Sequence, residues 1–151
     1  MNIPAIEYIP HDGSMALIDR ILEVKEGFVT CSASPQKAAP FRNSSNKIPS
    51  WIGIELMAQT IGAYVGCTGK QRGEEVKVGF LLGTRKLTLH TDFFEDETIY
   101  IQAELVFQNK ELGSFKCAIF GEDRKTLLAE AAVNVFQPGD IDRFLEENKQ
   151  Q

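Results

Sequence analysis

Apolar residues recur at helical spacing most persistently in one stretch. From Trp51 to Cys67 the positions Ile54, Met57, Ala58, Ile61 and Val65 fall three or four apart, which predicts a helix. Ser50, preceded by Pro49, is the predicted N-cap, and Gly69 with the polar run Lys70 to Glu75 is the predicted end. The helix is apolar nearly all round and rich in small residues: Gly53, Ala58, Gly62, Ala63 and Gly66. A glycine inside a helix costs about 1 kcal/mol relative to alanine. Close packing by surrounding backbone has to offset that, so the helix is expected to be almost enclosed.

The rest of the chain alternates instead. Pro10-His11-Asp12-Gly13-Ser14 reads as a turn, Met15 to Ile18 as a short apolar run, and Asp19-Arg20 as its end. Residues 21 to 34 predict a strand pair turned at Gly27, with Ile21, Glu23 and Lys25 on one face. Residues 35 to 50 carry three prolines and read as a long loop. After the helix, strands are predicted at Val76–Leu82, Lys86–His90, Thr98–Gln108, Leu112–Gly121 and Leu127–Phe136. Gly83 separates the first two, Phe93 to Glu97 forms a turn, and residues 141 to 151 form a short polar tail. One long apolar helix followed by antiparallel strands is an α+β arrangement. A strongly bent sheet wrapped around that helix is the hotdog fold, expected here as one domain over residues 1–151.

Composition adds mostly exclusions. A net charge of −5 offers no basic footprint for nucleic acid. Cys31, Cys67 and Cys117 lie far apart, without zinc-ligand or redox spacing, and read as reduced thiols. No metal site is expected. The N-terminus lacks a basic n-region and an apolar core. The Trp51–Cys67 run is shorter than the roughly 20 residues that span a bilayer. A cytoplasmic chain without membrane segments is expected. No phosphate loop, dinucleotide fingerprint or nucleophile elbow is present, and no cofactor is expected.

Against that background Glu55 stands out as the only charged residue from Trp51 to Cys67. A carboxyl early in an apolar helix is suited to exchanging a proton with a ligand. The alternative is an exposed stripe that points it to solvent. Gln59 lies one turn on, on the same face, with Ala58 and Gly62 leaving room beside it. His11, in a turn beside Asp12, is either a general acid or base or a locally bonded turn residue. For His90, at a strand end, the structural role is favoured, as it is for Asp19-Arg20. Trp51 and Tyr64 read as core or as lining of an acyl pocket.

Three segments carry a family resemblance. Pro10-His11 with Leu17-Ile18-Asp19-Arg20, then Pro49 with Glu55-Leu56-Met57-Ala58-Gln59, then Gly79-Phe80-Leu81-Leu82-Gly83 resemble the 3-hydroxyacyl-(acyl carrier protein) dehydratases. The pattern from Ile48 to Ile61, from Gly79 to Arg85 and at Val135-Phe136-Gln137-Pro138 is most similar to a dehydratase-like branch associated with aryl polyene or other specialised acyl chains. The resemblance implies a homodimer, active sites between subunits, and an acyl carrier protein-bound substrate. It implies Glu55 as a catalytic carboxylate facing a histidine of the other subunit; His11 is the candidate for that role, and Gly53, Gln59 and Trp51 are the candidate substrate-binding residues. Backbone N–H groups near Gly53, at the helix start, could supply donors for the thioester oxygen. The chain departs from the family in one place: the loop Pro40 to Pro49 contains no histidine, where the dehydratases place a His-Phe-Pro-Gly motif. A non-catalytic acyl-binding or scaffold subunit, and a hotdog thioesterase, are the other functions compatible with these features.

Overall fold

A computed structural model describes residues 2–9, 16–71, 80–109 and 112–136. Seven strands form one sheet: β1 (Ile3–Pro4), β2 (Ile18–Lys25), β3 (Phe28–Ala33), β5 (Phe80–Leu89), β7 (Ile99–Asn109), β8 (Leu112–Phe120) and β9 (Leu127–Phe136). Their order is β1-β2-β3-β7-β8-β9-β5, with every neighbouring pair antiparallel. A two-stranded ribbon joins β4 (Ile48–Pro49) to β6 (Phe93–Phe94). The helix α1 (Gly53–Gln71) lies across the sheet and packs on β2, β3, β7, β8 and β9. The expected hotdog arrangement is what the chain forms.

The alternation of the strands builds the surface that receives α1. Register places Cys31, Ile101, Ile119 and Ala129 in one inward row across four strands. Val29, Ala103, Cys117 and Ala131 form the next. All eight are buried. Alanines in these rows let the helix approach, and register shifts in β2, β5, β7 and β9 bend the strands around it. Gly27, at φ 74°, turns β2 into β3, and its N–H donates to the Tyr64 hydroxyl at 3.0 Å.

Several predicted boundaries move. Gly83 does not divide two strands. It sits in a register shift inside β5, where it pairs with Asn134. Phe93–Phe94 is not a turn. It pairs with Ile48–Pro49, because Phe94 and Ile48 are both buried. Ser50 does not cap the helix with its side chain. It opens a 3-10 turn, Ser50–Ile52, before α1 begins at Gly53, and α1 continues past Gly69. Residues 35–50 contain a 3-10 segment, Pro35–Phe41, as well as β4. The shift between Ile21 and Glu23 breaks the predicted common face: Ile21 is buried and Glu23 exposed. The predicted turn 10–14, residues 76–79 and the tail 141–151 lie outside the described residues.

Cys31, Cys67 and Cys117 are free and buried. Burial pushes the Cys31 thiol up to about 12, against a lowering hydrogen bond to the Thr60 side chain, and burial raises Cys117 to about 12 also. The unfolded chain ionises these thiols near 9.0 while the native chain keeps them protonated. Their contribution to stability is therefore intact below pH 9 and is lost as pH rises from there toward 12. The expected slope is about 1.4 kcal/mol per pH unit for each thiol. Urea unfolding at a series of alkaline pH values, repeated with Cys117→Ala, checks this: the alanine variant should lose stability less steeply.

Candidate functional site

Glu55 is the third residue of α1 and is half-buried. It shares a stripe with Ile54, Ala58, Gly62 and Val65, all likewise half-buried. The opposite side of the helix, with Leu56, Met57, Ile61, Ala63 and Cys67, is fully packed on the sheet. The expectation of a nearly enclosed helix holds in that none of residues 53–69 is exposed, but the cover is uneven. The chain covers one side completely and leaves a strip of small and apolar residues with a carboxylate among them.

One turn beyond Glu55, Gln59 is 0% exposed. Its Nε2 donates to Glu55 Oε1 at 3.0 Å. Its Oε1 accepts the Leu17 N–H at 2.8 Å and the Ile18 N–H at 3.4 Å. Of the residues singled out in the sequence, Glu55 and Gln59 are therefore in direct contact. The partners at Leu17 and Ile18 were not foreseeable, since a backbone amide leaves no signature in residue type.

The other candidates are placed differently. Gly53 starts α1, and its N–H already donates to the Ser50 and Trp51 carbonyls of the 3-10 turn. Helix closure thus engages the N–H of Gly53 itself. A Cβ at Gly53 would stand 3.0 Å from Ile119 Cδ1 and 3.4 Å from Phe94 Cζ, so packing explains its small size. Trp51 is 53% exposed and meets Phe41 edge-on at 6.4 Å, so within one chain it is not core. His11 lies outside the described residues. His90 pairs with Glu130 at 3.1 Å on the exposed side of the sheet, a structural contact. Arg20 bonds Asn2 through its side chain and so ties β1 to β2.

The loop without histidine is a compact turn built on Asn43. Its Oδ1 accepts the Ser45 N–H at 2.9 Å and the Lys47 N–H at 3.0 Å, and Arg42 donates to the Asn46 carbonyl. A concavity bounded by Phe28, Tyr100, Phe120 and Arg124 opens on the sheet face away from α1 and does not reach Glu55. Among the described residues no group of three His, Cys, Asp or Glu side chains is arranged to hold a metal ion, and no helix is long and apolar enough to cross a membrane.

The fold, one helix across a curved antiparallel sheet, recurs in known proteins. The chain is 30% identical to a chain of the dehydratase heterocomplex ApeI:P from Xenorhabdus doucetiae, with 97% of this chain and 98% of that one covered and a TM-score of 0.87. A hypothetical thioesterase from Streptococcus pneumoniae, solved with coenzyme A, is 17% identical over 80% of this chain and 85% of its own, with a TM-score of 0.61. The PaaI protein of the E. coli phenylacetic acid degradation operon is 16% identical over 81% of this chain and 80% of its own, also at 0.61. These last two share the fold alone. The family model for ApeP-like proteins, described as ApeP dehydratase, matches residues 3–146. The chain belongs to the ApeP-like dehydratase family.

Proposed function

We propose that this protein removes water from 3-hydroxyacyl thioesters held on acyl carrier protein and releases enoyl thioesters. The observation that carries the reading is Glu55: a carboxylate on a half-buried apolar stripe, held by a buried amide. Elimination needs a base for the C2 proton, an acid for the departing hydroxyl, and donors for the thioester oxygen as it gains enolate character. Glu55 protonates or positions the hydroxyl in this reading, and His11 takes the C2 proton. The thioester oxygen needs a donor other than the Gly53 amide, which is engaged in the 3-10 turn.

The functional unit in this reading is a dimer of hotdog subunits. The surfaces it would cover are the stripe around Glu55 and β5, the last strand of the sheet, which among the described residues pairs only with β9. A homodimer is the arrangement the family resemblance implies.

A second reading is favoured by the Asn43 turn, which stands where related dehydratases carry a histidine, and by the relative's occurrence in a heterocomplex. In it the chain is a subunit that supports a separate catalytic partner. Purified protein incubated with 3-hydroxyacyl carrier protein distinguishes the two by mass spectrometry of the acyl group. Enoyl product from the isolated chain is expected. No product from folded protein overturns the first reading, and product only after a partner subunit is added establishes the second. Release of free carrier thiol without enoyl formation would identify a thioesterase.

A further inference from the structure

Four buried polar side chains are found among the described residues, Ser32, Ser50, Gln59 and Thr60, and Gln59 is the largest of them. Its place one turn from Glu55 suggests a substrate contact, but its geometry suggests otherwise. A backbone N–H can only donate, so the Leu17 and Ile18 amides fix which end of the Gln59 side chain is the oxygen. The NH2 end is then the one aimed at Glu55 Oε1. Both ends of the amide meet protein atoms, and nothing of the side chain reaches the surface.

We infer that Gln59 is a positioning residue, a bridge that fixes the Glu55 carboxylate against the start of β2. The inference rests on reading Glu55 as the reacting carboxylate. A glutamate side chain has three rotatable bonds, and each hydrogen bond to its carboxylate narrows the rotamers it samples. A hydrogen bond from an amide that two backbone groups already hold reduces that freedom before substrate arrives. The bridge also spans the fold: Leu17 and Gln59 are 42 residues apart, so one side chain sets the relation of β2 to the first turn of α1.

Two variants separate the ends of the bridge. Gln59→Leu removes both. Gln59→Glu keeps an oxygen for the Leu17 and Ile18 amides but turns an acceptor instead of a donor toward Glu55. Amide hydrogen exchange at Leu17 and steady-state kinetics with a 3-hydroxyacyl carrier protein are the readouts. Gln59→Leu should speed Leu17 exchange by about tenfold or more, through loss of its acceptor. Gln59→Glu should leave Leu17 protected and lower kcat by roughly 10- to 100-fold with KM nearly unchanged. The exchanged pair, Glu55→Gln with Gln59→Glu, should regain thermal stability relative to Gln59→Glu without regaining turnover. A raised KM with kcat intact would show direct substrate contact and overturn the inference. So would unchanged Leu17 exchange in Gln59→Leu. If the wild-type protein forms no enoyl product, the functional reading fails by itself. The bridge is then judged by Leu17 exchange and by the Gln59 side-chain amide resonance, which must move in Glu55→Ala for the bridge to stand.

Discussion

Glu55→Gln is expected to lower enoyl formation by about 10²–10⁴-fold, the range for removing one member of an acid–base pair. The substitution is nearly isosteric. Its side-chain oxygen can still accept from Gln59 Nε2, the contact now made at 3.0 Å, so the buried bridge to Leu17 and Ile18 is preserved. Thermal stability should therefore stay close to wild type while kcat falls, and that split marks a chemical role. Glu55→Asp tests position separately. It keeps the carboxylate but withdraws it by one methylene, and a displacement of about 1 Å costs on the order of 10²-fold when reacting groups must be aligned. Turnover within threefold of wild type in Glu55→Gln would instead remove Glu55 from the acid–base machinery. The measurement is enoyl formation against time at saturating substrate, with circular dichroism melts run on the same preparations.

The largest expected effect on folding is at Gly66. A Cβ there would stand 1.9 Å from the Tyr8 carbonyl oxygen and 2.9 Å from its carbon. The obstacle is backbone, so no rotamer change relieves it. Tyr8 closes the 3-10 turn Ala5–Glu7 through its N–H to the Ala5 carbonyl at 2.9 Å. Gly66→Ala has to push that whole segment off the helix, and with it the buried Ala5 and Ile9. A loss of about 3 kcal/mol is expected, at the upper end for overpacking, which lowers the melting temperature by about 10 °C. Gly62→Ala is the control on the same helix. A Cβ there meets only Ile9 Cγ2 at 4.0 Å, an ordinary contact. It should be neutral or stabilise by about 0.5–1 kcal/mol through helix propensity. Equal destabilisation by the two alanines would contradict the close approach of Tyr8.

These two positions show what could be read from residue order and what could not. The helix was legible because its period, its small residues and its single carboxylate coincide within one short stretch. The strands were legible because apolar and polar positions alternate along them, as at Phe115, Cys117 and Ile119 of β8. The limits of elements were harder. Gly83 and Phe93–Phe94 carry turn-like residues, yet cross-strand pairing holds them in strands. Glu55 was found because a lone charge in an apolar helix is a local anomaly. The role of Gln59 was not, since its oxygen meets two amides more than 40 residues away.

Local pattern determined the helix, most of the strands, the α+β class and the choice of Glu55, because periodicity and isolation of charge are properties of neighbouring residues. Tertiary structure decided which side of the helix stays open, why Gly53 and Gly66 carry no side chain, and where Gln59 directs its two ends. Each of those depends on atoms brought close by the curvature of the sheet, and distances between remote segments are not encoded in the spacing of residues along the chain.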